Sequence, residues 1–142
     1  MTRAWGLAMP ATVLRDIVSH ARRESPRECC GFLVGLPGRV SFAVGTRNVA
    51  RGRTRYRIDD RAHIALRRTL RRFSPPLEIV GVYHSHPAGD ARPSPTDIAT
   101  AFYPEWTHII VGMRRTVAVR GYRLSRGRAD RVVIQRGSEV SI

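Results

Sequence analysis

A chain of 142 residues is one domain of usual size, long enough to bury a real core and too short for a second module, so a single domain over 1–142 is expected. All 25 basic residues are arginine against 11 acids, giving a formal charge of +14; the bias reads first as coding bias, yet it favours an acidic partner by long-range steering. No stretch could span a bilayer and no long apolar core follows Met1-Thr2-Arg3-Ala4-Trp5, so the expectation is a cytoplasmic chain with no membrane partner.

In chain order, Val13, Leu14, Ile17, Val18 and Ala21 recur at helical spacing and predict an amphipathic helix over about 11–23. Strands are predicted near Phe32–Leu36, Val40–Asn48 and Tyr56–Ile58, and a second helix over about 60–73 with apolar Ile64, Leu66 and Leu70. The run Glu78-Ile79-Val80-Gly81-Val82-Tyr83-His84 reads as a buried central strand. Pro87, Gly89 and Pro93 then break regular structure before a helix that opens at Ser94 and runs to about Tyr103. Residues 107–111, 116–124 and 132–134 close the set as strands. The pattern predicts an α/β domain, a curved mixed sheet flanked by helices, with no repeats.

The chemistry is concentrated in one run, His84-Ser85-His86-Pro87-Ala88-Gly89-Asp90-Ala91-Arg92-Pro93-Ser94-Pro95-Thr96-Asp97. Side chains alternate on a strand, so His84 and His86 face one side and Ser85 the other. Ser94 at N-cap, Pro95 at N1 and Asp97 at N3 make a good helix start whatever lies nearby. The loop nevertheless returns Asp97 to the end of the histidine strand, where two imidazoles and one carboxylate can share a metal ion. Zinc held by three protein groups keeps one tetrahedral position for water, the composition of a hydrolytic site. Asp90 is a rival acid in a turn context. His20, His63 and His108 stand alone and read as surface or core histidines.

Such a site also needs a proton acceptor, and Glu28 is the candidate. It heads the apolar run Cys29-Cys30-Gly31-Phe32-Leu33-Val34-Gly35, in which Gly31 and Gly35 permit close backbone approach. An exposed salt-bridge partner is the bland alternative for it. Cys29 and Cys30 are adjacent, so on a strand they face opposite ways and read as packing residues, not a disulfide framework. A thiol beside Glu28 could still approach the zinc.

An upstream Glu, then His-x-His, seven residues, Ser, two residues and Asp resembles the JAMM (MPN-plus, Mov34-type) zinc metalloproteases. The Glu-Cys-Cys-Gly-Phe-Leu-Val-Gly and His-Ser-His-Pro contexts are similar to the short prokaryotic branch. The resemblance implies a cytidine-deaminase-like architecture, one zinc ion on His84, His86 and Asp97, Glu28 as general acid/base, and Ser94 stabilising the tetrahedral intermediate or orienting the site. It also implies a peptidase or isopeptidase cutting after the C-terminal Gly-Gly of a ubiquitin-like or sulfur-carrier protein, which the charge expects to be acidic. Only about ten residues separate Asp97 from the next strand, leaving no room for the insertions that grip ubiquitin chains.

Two other classes compete. A non-catalytic MPN-type interaction module would lack the ligands, all of which are present here. A basic nucleic-acid-binding protein is suggested by Arg51, Arg53, Arg55 and Arg57, which would form a one-sided stripe if that segment were a strand, and by Arg67, Arg68, Arg71 and Arg72 on a helix. No stacking set or nucleic-acid motif accompanies them, so a solvated face is the expectation.

Overall fold

Four apolar side chains of the first helix, Val13, Leu14, Ile17 and Ala21, are buried along one stripe, and the sheet is organised around that stripe. The structure is a computed structural model describing residues 5–136; the Met1–Ala4 segment read above lies outside them. Strand β1 (Trp5–Ala8) precedes helix α1 (Ala11–Glu24), followed by β2 (Cys30–Leu36) and β3 (Arg39–Thr46). Helix α2 (Asp60–Leu70), β4 (Glu78–His86) and the short α3 (Pro95–Ala99) come next. Strands β5 (Thr107–Gly112), β6 (Ala118–Ser125) and β7 (Arg128–Gln135) complete the order.

The strands form a ring in the order β1-β3-β2-β4-β5-β6-β7, which returns to β1. Pairing is mixed: β4 with β5 and β1 with β7 run parallel, while β2 with β3, β2 with β4, β5 with β6 and β6 with β7 run antiparallel. The expected curved mixed sheet is therefore present, and it curls far enough to close. One core cluster joins α1 to Leu7, Leu33, Val40, Tyr83, Ile109, Val111 and Val132, drawn from six of the strands, so the sheet wraps around α1. A second cluster, with Phe32, Val82, Trp106 and Leu70 of α2, packs on the opposite face. Gly31 and Gly35 serve as expected: a Cβ on Gly31 would meet the Tyr83 ring, and one on Gly35 the carbonyl of Arg39.

Several boundaries differ from the sequence expectation. The strand predicted at Tyr56–Ile58 is a single bridge between Asn48 and Ile58, and residues 51–54 bend through Gly52 at φ 89°. The reason is that the Asn48 side chain, not a neighbouring strand, takes the backbone groups of Ala50, Arg55 and Arg57. The one-sided stripe of Arg51, Arg53, Arg55 and Arg57 therefore does not form, although all four are exposed. Helix α3 ends at Ala99, short of Tyr103, with Thr100 as its C-cap and the Thr100 hydroxyl on the Thr96 carbonyl at 2.8 Å. β1 has too few residues to announce itself and was not expected. Among the described residues no helix is long and apolar enough to cross a membrane.

Candidate metal centre

Strand alternation places the histidines. Beyond the irregularity where β4 skips Val80 against β2, Val82, His84 and His86 share the face away from α1, while Tyr83 and Ser85 face toward it. His84 is fully buried, and its Nε2 lies 3.1 Å from Nε2 of His86. Asp97 arrives from α3: its Oδ2 is 3.2 Å from each of those nitrogens. The same Oδ2 accepts the Ser94 backbone N–H at 2.8 Å, and Ser94 Oγ accepts the Asp97 N–H at 3.0 Å, closing a capping box. The cap and the ligand readings of Asp97 are thus one arrangement.

Lone pairs converge on this point. His86 Nδ1 lies 2.9 Å from the Asp90 carbonyl, which can only accept, so Nδ1 carries a proton, and whenever the ring is neutral its Nε2 lone pair faces His84 and Asp97. Two nitrogens and one oxygen with edges of 3.1, 3.2 and 3.2 Å suit three corners of a tetrahedron, since zinc bonds of about 2.0–2.1 Å give edges of about 3.3 Å. The donor set therefore fits a zinc ion. Asp90, the rival acid, contributes its carbonyl alone; its carboxylate is exposed, 3.9 Å from Arg114. Burial lowers the pKa of His84. For His86, hydrogen bonds to Asp97 and to the Asp90 carbonyl outweigh burial and raise it. Burial alone would raise Asp97, but the two histidines and the Ser94 N–H hold its carboxyl well below the usual carboxylate range.

Glu28 is buried, at 5 % exposure, and not a surface salt-bridge partner. Its carboxylate and the two imidazoles bring one ligand atom each within 4.8 Å of one another, a looser group than the one with Asp97. Burial pushes its carboxyl up to about 7, with His86 opposing and Asp97 adding to the rise. Two residues, Ser85 and Asn48, hold this stretch of backbone. Ser85 Oγ accepts the Cys29 N–H at 2.8 Å while the Ser85 N–H donates to the Cys29 carbonyl at 3.2 Å, so the reverse face of the histidine strand fixes the residue beside Glu28. Asn48 Nδ2 donates to the Glu28 carbonyl at 3.0 Å.

Sequence reasoning missed three residues here: Ser85, Asn48 and Tyr56. The Tyr56 ring stacks on His84 with centroids 4.3 Å apart and planes at 20°. Only Ser85 carried a signal, its place between the two histidines. Both cysteines are free and buried. Cys29 joins the α1 core, whereas Cys30 pairs in register with His84 and so shares its face. Its thiol lies 3.4 Å from Thr46 Oγ1, and burial pushes it up, which keeps it protonated and a poor metal ligand. Of the three isolated histidines, His108 is core, His20 bonds Tyr83 Oη at 2.7 Å, and His63 accepts from Arg67 Nε at 2.8 Å.

A strand-borne His-x-His, a capping aspartate and a buried glutamate on a sheet wrapped around its first helix define a domain of the JAB1/MPN type. The chain belongs to the family described as prokaryotic homologs of the JAB domain, which matches residues 10–125. It is 33 % identical over 125 residues to the CysO-cysteine peptidase of Mycobacterium tuberculosis, covering 85 % of this chain and 84 % of that protein. It is 33 % identical over 111 residues to the desampylase of Haloferax volcanii, covering 73 % and 78 %. A solution structure of a protein from Desulfitobacterium hafniense superposes with a TM-score of 0.84 at 23 % identity, over 95 % of each chain, and shares the fold.

Proposed function

We propose that this chain is a zinc-dependent peptidase or isopeptidase that hydrolyses the bond after the C-terminal Gly-Gly of a ubiquitin-like or sulfur-carrier protein. The observation that carries the reading is the near-equilateral triangle of His84, His86 and Asp97 donor atoms with the buried Glu28 beside it. Relatives named CysO-cysteine peptidase and probable TtuB-protein conjugate cleaving protease support the substrate class.

Zinc would be held by His84, His86 and Asp97; when bound it polarises a carbonyl and brings the pKa of water to roughly 7. Glu28 takes a proton from the attacking water and delivers it to the departing amine. Burial disfavours the charged form of this carboxyl, which favours its taking up a proton, and general acid/base help of this kind is worth on the order of a hundred- to ten-thousand-fold. Ser94 Oγ already accepts from the Asp97 N–H, so its own hydrogen is free to donate to the developing oxyanion. The formal charge of +14 favours the approach of an acidic carrier, an effect that salt weakens.

The test is to incubate zinc-loaded protein with carriers ending in Gly-Gly and extended by an amino acid or a lysine-linked peptide, and to read the products by mass spectrometry. Release of a carrier with a free Gly-Gly terminus is expected. Intact carriers throughout, with zinc bound stoichiometrically, would refute the assignment.

A further inference from the structure

Residues 48–58 form a loop whose ends meet, bridged between Asn48 and Ile58 and by the Val49 N–H on the Arg57 carbonyl at 3.0 Å. The loop contains no strand to pair its backbone. That work falls to Asn48, which is 9 % exposed and uses its whole amide. Nδ2 donates to the Glu28 carbonyl at 3.0 Å and to the Arg55 carbonyl at 2.9 Å. Oδ1 accepts the Ala50 and Arg57 N–H groups, each at 3.0 Å. A primary amide has two donor hydrogens and two acceptor lone pairs, so nothing is left over. Arg27, next to Glu28, grips the same turn from outside, with its guanidinium 2.8 Å from the Ala50 carbonyl and 3.3 Å from that of Asn48.

The partners of that amide are what matter. Arg55 and Arg57 flank Tyr56, the residue whose ring lies on His84. Glu28 is the proton carrier of the reading above. One side chain therefore joins the segment that carries Glu28 to the segment that covers His84. We propose that Asn48 is a positioning residue that sets the placement of Glu28 relative to His84, holding on one amide both the main chain of Glu28 and the two residues on either side of Tyr56. The inference rests on the proposed hydrolysis for Glu28, but its Tyr56 arm can be read without turnover. Misplacement of a reacting group by about 1 Å can cost on the order of a hundredfold in rate, so the loss of such a brace falls on kcat.

Two variants separate the arms. Asn48→Asp keeps the acceptor bonds to Ala50 and Arg57 and loses the donors to Glu28 and Arg55, whereas Asn48→Ala loses all four. Steady-state kinetics on a cleavable carrier, corrected for the folded fraction by circular dichroism, should give kcat about ten- to a hundredfold lower in both, with KM within about twofold of wild type. In the cobalt-loaded proteins, the visible absorption bands should shift most for Asn48→Ala, whose Tyr56 loop is released from His84, and less for Asn48→Asp, which keeps the bonds to Ala50 and Arg57. A merely structural asparagine would lower stability and leave kcat per folded molecule unchanged. Wild-type kcat in Asn48→Asp would overturn the inference. If the wild-type protein itself cleaves no carrier, the proposed function fails, and the cobalt spectra decide this inference: identical bands for wild type and Asn48→Ala would overturn it.

Discussion

Replacing His108 tests whether a buried histidine on β5 is held neutral. It is 5 % exposed, and neither ring nitrogen has a hydrogen-bond partner among the described residues. Its neighbours in register are Val82 and Tyr122, so it lies on the same face as His84. Burial, and then the nearby His84, lower its pKa from 6.5 to about 4, with Asp97 opposing. The unfolded chain therefore takes up a proton on this ring between pH 6.5 and 4 that the folded chain refuses. The neutral ring's contribution is complete above about pH 6.5 and is lost as pH falls toward 4. The difference, 6.5 minus about 4, is about 2.5 units, or on the order of 3 kcal/mol at about 1.4 kcal/mol per unit. His108→Leu removes the titration and the two unpaired nitrogens together. Urea unfolding of both proteins at pH 8, 6 and 4.5 should show the variant at least as stable at the highest pH, with an advantage that widens to about 2–3 kcal/mol at the lowest. A difference that stays constant across these pH values would refute the reasoning.

Other outcomes follow from the site and the core. Glu28→Gln should retain zinc, measured by atomic absorption after dialysis, while carrier cleavage falls by about a hundredfold or more; cleavage at the wild-type rate would remove Glu28 from the proton transfer. Asp97→Asn weakens one proposed metal donor and one helix cap together, so both zinc content and melting temperature should fall, the cap accounting for about 1 kcal/mol; undiminished zinc content would exclude Asp97 as a ligand. Ile17→Ala, at a fully buried position where α1 meets the sheet, should cost about 2–5 kcal/mol in urea unfolding without changing zinc affinity. A cost under about 1 kcal/mol would mean that the helix is not the centre of the core.

The histidine pair and Asp97 were legible because local rules place them. Period-two alternation aims His84 and His86 together, and a capping box is written in consecutive residues. Helix α1 was equally plain from its spacing. Asn48 gave no signal, since its partners are carbonyls and amides that any residue carries and that only the folded chain gathers. Tyr56 sits in a segment whose β-branched and aromatic content resembles a strand, but Asn48 satisfies its flanking backbone in place of a ladder. β1 is four residues long, too short for a periodic pattern, and its role in closing the ring is a matter of distant pairing.

The ring has a weak seam. Strand β1 meets β7 through four register pairs but meets β3 at one, Ala8 opposite Arg39, alongside a bond from the Ala8 N–H to the Gly38 carbonyl. Beyond Arg39 the outer rim of β3 has no strand partner among the described residues. A hoop buckled by a single rung unfastens there first, so amide exchange should report β1 and the β2–β3 turn parting long before the histidine strand, which is laced to neighbours on both flanks. Breathing of the barrel and integrity of the His84–His86–Asp97 cluster would then be separate properties of the same sheet.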